Sequence, residues 1–458
     1  MSLTIREKSA TLATYRFVQV HLLEMLAAWI PTTPETAVKL LLGEHLWTVA
    51  QHADALGKRV YELRKPLHYS LPPCLAYRQV LDALAGRSHT AERLQGFYEG
   101  LLPGLMTRYQ RYLERTDALL DAPTVRLLER CGLEMAQMRR ESQEVIVQLC
   151  QGKGLETAWL QGYRTMEAAC TEVLQPGATP LVPGGLPTLS SQDTMVLRGI
   201  TLRRDPQREP CFTVVHAETE MHEYPNMSDI SRRERLHRHM HNEIGSLEIA
   251  AQCLADFPAT PWELRMQLAR QCWDETRHVQ LLSRRLRALG GHQGEFPVSN
   301  FEWNITCILD TLPARLAVQN RTFEAGTMDL LGKLVDRWRE VGDEQTAAML
   351  EGILVDEIQH VRFANQWIKR LAQEDRRVVL QVAMAMRFLA HVNNVLAPQA
   401  GEVNAVGTVF APLVERIPTV NIADRQQADF TAEEIQEILR QAGFRSLAPE
   451  DERQEAAV

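Results

Sequence analysis

Two Glu-x-x-His motifs, each with a further glutamate upstream, are the residues of this chain best suited to chemistry. The duplicated set is Glu243, Glu275 and His278, repeated as Glu324, Glu357 and His360. Within each half the first glutamate precedes the second by 32 or 33 residues. Residues three apart in an α-helix share a face, so each motif presents its carboxylate and imidazole together. The pattern predicts a carboxylate-bridged two-metal site inside a four-helix bundle, a kind of site that can activate dioxygen.

The duplication carries this prediction, because the single motif is common. At the frequencies of Glu and His in this chain, chance gives about one Glu-x-x-His. A third copy, Glu234 with His237, has no partner glutamate at the matching distance, and we interpret it as the chance event. The alternative for the paired set is solvated helix faces with satisfied histidines. The apolar surroundings of Glu243, Glu324 and Glu357 oppose it, since burying unpaired carboxylates is very costly.

The duplicated pattern also predicts how the ligands divide between two metals. We expect Glu275 and Glu357 to bridge, Glu243 to be terminal on the metal held by His278, and Glu324 to be terminal on the metal held by His360. Carboxylate oxygens with one imidazole per metal favour iron, with manganese second. The expected cofactor is therefore two iron ions.

Acidic residues precede both motifs and are suited to orient the histidines. A metal-bound histidine usually donates its other ring N–H to a carboxylate. We expect Asp274 to face His360 and Asp356 to face His278, the alternative being exposed helical aspartates. Arg277 could neutralise charge there or form a surface salt bridge.

Two further predictions concern the surroundings of the ligands. His239 lies four residues before Glu243, on the same helix face; it could be an extra ligand, a gate or a proton donor, although we favour the simpler interpretation of a polar helix start. Other residues at bundle-facing spacing would line a substrate pocket, and as ordinary core they would look the same. These are Leu247, Gln271, Leu282, Thr327, Met328 and Val361.

Helix start signals place these residues on four long helices. Ser231 and Glu234 form a possible capping box for the first helix, and Thr260-Pro261 opens the second. Pro313 fits the start of the third helix, and Asp343 caps the fourth. We expect each helix to run roughly 25–30 residues, as in a bundle.

The remaining chain predicts an all-α protein with a loop-rich linker. We expect an N-terminal helical domain over 1–175, a linker with a short hairpin over 176–228, the bundle over 229–398, and a tail with one short helix over 399–458. Within the first domain, one helix spans 15–30, and the next is capped by Thr33 and ends at Gly57. Strand-like alternation marks 194–202 and 211–216.

The N-terminal domain echoes the metal pattern only weakly. Glu24, Glu44, His45 and His52 lie on two successive apolar helices, but none belongs to a Glu-x-x-His motif. We therefore expect this domain to be free of metal.

Composition narrows the functional classes. The formal net charge of −8 disfavours a nucleic-acid-binding surface. The eight cysteines include no Cys-x-x-Cys, and no signal peptide begins the sequence, which fits a reducing cytoplasm. No uninterrupted apolar run approaches the ~20 residues of a membrane span, so we expect no membrane partner.

At the ligand residues the chain resembles the ferritin-like superfamily of dinuclear carboxylate proteins. The segment from Asp274 to His278 is similar to the Asp-Glu-x-Arg-His of bacterial multicomponent monooxygenases and bacterioferritins. The stretch 239–364 is closer still to a bacterial family of uncharacterised ferritin-like proteins. The resemblance covers roughly residues 230–375 and implies metal ligation by the six residues named above. It does not account for the N-terminal domain, which argues against simple iron storage.

These observations favour a non-haem diiron oxidase or oxygenase. It would oxidise a small organic substrate with dioxygen, by hydroxylation, N-oxygenation or desaturation, with an external electron donor. We expect a homodimer. The alternatives are a ferroxidase or peroxide-handling protein, and a tRNA-modifying hydroxylase. Storage cages use much shorter subunits, peroxide scavengers often carry a Cys₄ iron site, and tRNA binding conflicts with the acidic charge.

Overall fold

The part of the chain that the computed structural model describes is mostly helical, as the composition predicts. The structure describes residues 3–150, 158–171, 173, 193–215, 227–396 and 420–441. The chain divides into two compact units, and the helices α8 and α9 each contribute residues to both. The first unit comprises Met1–Ser191, Pro206–Glu209 and Ala250–Thr276, and the second comprises Gln192–Asp205, Pro210–Ile249 and Arg277–Val458.

Seven α-helices and one π-helical segment are described up to residue 173. They are α1 (Ile5–Trp29), α2 (Thr36–Glu62), α3 (Leu75–Ala85), α4 (Thr90–Leu94), π1 (Gln95–Leu101), α5 (Leu102–Arg115), α6 (Ala122–Leu149) and α7 (Ala158–Ala169). α1 begins ten residues earlier than predicted because Thr4 and Glu7 form a capping box. α2 begins at Thr36, after Glu35 rather than Thr33, and passes through Gly57.

Gly57 serves close packing rather than helix termination. A Cβ at this position would lie 2.4 Å from His68 Nδ1 and 2.8 Å from Arg16 Nε. Only glycine leaves room for those two side chains against α2. The prediction that Gly57 ends the helix is therefore wrong, since a glycine needed for close approach looks the same in sequence as a helix stop.

Two histidine–glutamate pairs join α2 to α6, and we call them the ladder. His45 Nε2 lies 2.9 Å from Glu141 Oε2, and His52 Nε2 lies 2.6 Å from Glu134 Oε2. His45 Nδ1 is also 2.7 Å from the hydroxyl of Tyr98 in π1. Each pair lies seven residues from the other along both helices, so the ladder selects one antiparallel register. Within the described residues these groups do not form a cluster of three or more metal-type ligands.

A short hairpin begins the second unit. β1 (Thr194–Leu197) pairs antiparallel with β2 (Ile200–Arg203), which confirms the predicted strand alternation over 194–202. Arg198 and Gly199 make the two-residue turn, both with positive φ (46° and 82°). The strand predicted over 211–216 is wrong for its described part: only an isolated bridge joins Val214 to Val298, and residue 216 lies outside the described residues.

The remaining described helices follow in chain order. They are α8 (Asp229–Asp256), α9 (Trp262–Ala288), α10 (Phe301–Thr306), α11 (Leu312–Val318), π2 (Gln319–Glu324), α12 (Ala325–Glu340), α13 (Glu344–Glu374), α14 (Arg377–Leu396), α15 (Ile422–Gln427) and α16 (Ala432–Gln441). α11, π2 and α12 succeed one another without a break, so the predicted third helix contains one π-helical stretch. The short helix predicted in the C-terminal tail is confirmed as α16, and a second short helix, α15, precedes it.

Most of the predicted helix starts are confirmed. α9 begins directly after Pro261, α11 carries a proline in its first turn, and Asp343 accepts a hydrogen bond from the backbone N–H of Thr346 at the start of α13. The capping box at Ser231 is wrong. α8 begins at Asp229, and the hydroxyl of Ser228 accepts the N–H of Ser231 at 3.3 Å.

α14 is the described helix that is long and apolar enough to cross a membrane by length and composition alone, with 22% of the relevant window buried. Its inner face packs in an apolar cluster that includes Ala385, Leu389 and Val392 together with Leu202 and Ile305. The core helix of an ordinary protein passes the same test, so the expectation that the chain has no membrane partner remains a prediction.

Candidate metal centre

The six predicted ligands lie on four helical stretches and are all buried. Glu243 is on α8, Glu275 and His278 are on α9, Glu324 ends π2, and Glu357 and His360 are on α13. Each is at most 4% exposed. Ligand atoms of Glu243, Glu275, His278 and Glu357 all lie within 4.8 Å of one another, and so do those of Glu275, Glu324 and His360. The residues form two overlapping groups that could each hold a metal ion.

Glu357 lies between the two histidines. Its Oε1 is 3.5 Å from Nδ1 of His278, and its Oε2 is 3.6 Å from Nδ1 of His360. The two imidazole rings are 6.2 Å apart, centroid to centroid. Oε2 is buried without a hydrogen-bond partner in the part of the chain that the structure describes. One carboxylate oxygen turned toward each histidine is the geometry of a bridging ligand.

Glu275 is shared by both groups. It lies one turn before His278 on α9, and the amide of Gln271 donates to its Oε1 at 3.1 Å. Gln271, predicted as a pocket residue, thereby orients a candidate ligand. Membership of both groups suits Glu275 to the second bridging position.

Glu243 has two histidine neighbours. His239 Nε2 lies 2.6 Å from its Oε1, and His278 Nδ1 lies 3.4 Å from its Oε2. Burial alone would raise the pKa of Glu243, but hydrogen bonding and charge from His239, and then from His278, outweigh burial and hold the pKa well below its usual range. Glu243 is therefore an anion in this environment. The structure places His239 against a candidate ligand, as its spacing suggested.

Glu324 has the opposite electrostatic environment. Burial, with the nearby charge of Glu357, raises its pKa to about 8. The amide of Asn320 donates to its Oε2 at 2.8 Å. Without a metal this carboxyl group holds a proton near neutral pH, and a bound cation would displace that proton.

Glu302 is a further carboxyl group here that the sequence did not reveal. It lies on α10, and burial together with the charges of Glu243 and Glu357 raises its pKa to about 7. It also hydrogen-bonds to the side chain of Gln319, the first residue of π2. α10 belongs to the long link between α9 and α11, where no periodic pattern points to a site. The one available signal was a glutamate between two aromatic residues, Phe301 and Trp303.

Because the pKa values of Glu302 and Glu324 are both raised, we expect the metal-free protein to lose stability as the pH rises. The folded state retains these protons above the ordinary carboxyl pKa of 4.5, so the stabilisation is complete below 4.5 and is lost as the pH passes through about 7 to 8. Each proton contributes a slope of up to about 1.4 kcal/mol per pH unit. Chemical denaturation between pH 5 and 8.5 should show a steeper fall for the native chain than for the Glu302→Gln, Glu324→Gln double variant. If stability fell equally with pH in both proteins, the raised pKa values would be contradicted.

Asp356 is placed behind His278 as predicted. Its Oδ2 lies 3.1 Å from Nε2 of His278 and 3.1 Å from Nη2 of Arg277. Burial would raise the pKa of Asp356, but His278 and then Arg277 outweigh it and lower the pKa. The acid on the other motif, Asp274, accepts two hydrogen bonds from Arg270 at 2.9 Å. Its expected contact with His360 remains a prediction.

The other five predicted pocket residues differ in burial and in packing. Leu247 and Leu282 are fully buried, and Thr327 is partly exposed. Met328 and Val361 pack in an apolar cluster with Phe430 and Ile435 of the C-terminal segment. Both side chains are buried in this cluster, and a substrate pocket lined by any of the predicted residues stays a prediction.

The third Glu-x-x-His motif forms a separate arrangement. Glu234 pairs with Arg238 at 2.7 Å, and His237 accepts the backbone N–H of Gly294 at 2.9 Å. Neither residue belongs to the two ligand groups found among the described residues. The structure thus separates this copy from the duplicated set, as the missing partner glutamate predicted.

The donor atoms fit a pair of divalent cations. If Nε2 of His278 donates its proton to Asp356, the lone pair on Nδ1 faces oxygens of Glu243 and Glu357 within 3.5 Å. Acceptors that face one another in a buried space require a cation or an additional proton between them. Four carboxylates and two imidazoles suit iron or manganese better than softer ions.

The fold and this cluster define a helical protein with buried glutamates and histidines that could hold metal. The chain belongs to the family described as "Protein of unknown function (DUF455)", whose model matches residues 187–436, more than half of the chain. All six candidate ligands lie within the matched stretch. None of the curated proteins and none of the solved structures that were compared matched this chain.

Proposed function

We propose that this protein is a non-haem diiron oxidase or oxygenase of the ferritin-like kind. The observation that carries the proposal is Glu357, whose two oxygens face Nδ1 of His278 and Nδ1 of His360 at 3.5 and 3.6 Å. A structural ion needs one closed set of ligands, whereas a bridging carboxylate between two histidines fits two metals side by side. α8, α9, α11 to α12, and α13 would be the four helices of the bundle.

The ligands divide between two positions in this proposal. His278 with Glu243 would hold one ion, His360 with Glu324 would hold the other, and Glu275 and Glu357 would bridge them. Two bound iron ions would supply the electrons that reduce dioxygen. Iron is proposed over manganese because one imidazole per ion among carboxylates suits it.

The surrounding side chains control charge and protons. Asp356 would fix the His278 ring with its N–H at Nε2, leaving Nδ1 for the metal. Four anionic ligands would balance two divalent ions, so ionisation of Glu324 is expected on loading. His239 lies 2.6 Å from Glu243, and Glu302, whose pKa is raised to about 7, is influenced by the charges of Glu243 and Glu357. Dioxygen reduction consumes protons. We propose these two residues as proton carriers and a small organic molecule as the substrate, with an external electron donor.

The test is anaerobic loading with ferrous iron followed by exposure to dioxygen. We expect about two iron ions per chain, rapid uptake of dioxygen in an oxygen electrode, and a transient absorption band by stopped flow. Zinc-loaded protein should take up no dioxygen, because zinc has no redox chemistry. Failure to bind iron would refute the proposal. Uptake that ends in released ferric iron, even with a reductant and organic substrates present, would favour the ferroxidase alternative.

A further inference from the structure

The C-terminal segment 420–441 packs against π2, which ends at Glu324, and against α12, which follows it. We call this segment the C-terminal strap; it contains α15 and α16. Asp329 of α12 accepts the backbone N–H of Asn421 at 2.8 Å and Nη2 of Arg425 at 2.5 Å. Both Asp329 and Arg425 are buried, and a buried ion pair with this many hydrogen bonds tolerates little displacement.

The strap also binds α13, the helix of Glu357 and His360. The amide of Asn365 donates to the backbone oxygen of Ala428 at 2.7 Å, and Lys369 Nζ lies 3.0 Å from Asp429 Oδ2. The buried side chains of Phe430 and Ile435 pack against Met328 and Val361 in one apolar cluster. The strap therefore joins α12 to α13 through both polar and apolar contacts.

The most specific contact is with π2 itself. Arg321, three residues before Glu324, donates to Glu434 Oε1 at 2.6 Å and to Asn365. Its guanidinium lies 4.6 Å from the ring centroid of Phe430, and Arg425 lies 4.8 Å from the same ring. The strap thus contacts π2 through Arg321 and α12 through Asp329.

A π-helical turn needs such support because its hydrogen bonding is less favourable than that of an α-helix. Relaxation of π2 toward α-helical geometry would turn Glu324 relative to α13. The neighbouring amide of Asn320, which contacts Glu324 at 2.8 Å, is also on π2 and would move with it. Contacts from outside the helix are suited to hold the turn, and the strap supplies such contacts to Arg321.

We propose that Arg321, Phe430 and Glu434 are positioning residues for one metal position: the strap holds π2 in the form that directs Glu324 toward His360. This inference rests on the proposed metal centre. It assigns the strap a selective effect, because Glu243 and His278 lie on α8 and α9, which have no part in these strap contacts. A purely structural strap would instead lower stability without separating the two positions.

The test is cobalt(II) titration of the full-length chain, followed by visible absorption and equilibrium dialysis. The native chain should take up cobalt in two steps. Glu324→Gln should abolish one of the two steps and so identify it. The cobalt affinity of that step should fall by about 10-fold in Arg321→Met and by about 3-fold in the milder Glu434→Gln. The other step should be unchanged. Glu437→Gln is the matched control, since Glu437 is on the same helix but pairs with exposed Arg440.

The outcomes separate this inference from the proposed function. Two intact steps in Arg321→Met and Glu434→Gln, or equal weakening of both steps, would overturn the positioning role. A native chain that takes up fewer than two cobalt ions would instead contradict the metal centre. Adding Arg321→Met to Glu324→Gln should give no further loss of affinity, because both changes act on one ligand.

Discussion

Replacing Glu357 by alanine is expected to prevent binding of both proposed metal ions. Its two oxygens face Nδ1 of His278 and Nδ1 of His360 at 3.5 and 3.6 Å. Loss of this one side chain therefore takes a ligand from each position and leaves the charges of two ions less balanced. In the proposed arrangement only Glu275 and Glu357 are shared by both positions, so substitution of any other single ligand should spare one ion.

Iron bound per chain after anaerobic loading and gel filtration measures this loss. We expect about two ions for the native chain and background levels for Glu357→Ala, with an unchanged far-ultraviolet circular dichroism spectrum. Glu234→Gln is the matched control, because Glu234 is equally buried in a Glu-x-x-His motif but pairs with Arg238. A Glu357→Ala protein that keeps one tightly bound ion would show that this carboxylate does not bridge.

The second large effect is expected from Asp356→Asn. Asp356 can only accept the proton on Nε2 of His278, which leaves the lone pair of Nδ1 facing Glu243 and Glu357. Asparagine can instead donate its amide to Nε2, and that hydrogen bond would place the ring proton on Nδ1, toward the metal. Changes of this kind typically cost 10- to 100-fold in metal affinity.

Competition against a chromophoric chelator would measure the affinity of the more weakened ion. We expect a loss of about 10- to 100-fold that diminishes at higher pH, where the misplaced ring proton is more easily lost. Asp336→Asn on α12 provides the comparison: Asp336 is exposed and lies 3.8 Å from Arg339. Equal affinities for the native chain and Asp356→Asn would contradict the orienting role.

Local sequence signals predicted the helical framework well where a cap or a proline fixes a helix start. Pro261 and Asp343 are examples, because each acts through the first turn alone. The same kind of signal failed at Ser231 and Gly57, where the deciding factors were a neighbouring serine and two distant side chains. Close packing involving residues far apart in the chain leaves no periodic trace.

The site was predictable in its ligands because they repeat. The two matched sets, each spread over two helical stretches, constrain one another, and the structure brings their members together. Glu302 was not predictable because it occurs once, on a short helix in a connecting segment. π2 was missed as well, since a π-helical turn carries no sequence signature of its own.

The buried carboxyl groups also bear on the lifetime of the chain in a cell. Glu243, Glu275, Glu324 and Glu357 are nearly inaccessible to water, so a chain without metal keeps like charges or protonated acids in its interior. Ions that bind only the folded state shift the folding equilibrium toward it by mass action. Newly made chains in metal-poor conditions would therefore open more often and be degraded faster by proteases. If the proposed metal centre is present, metal supply would then set the abundance of the protein.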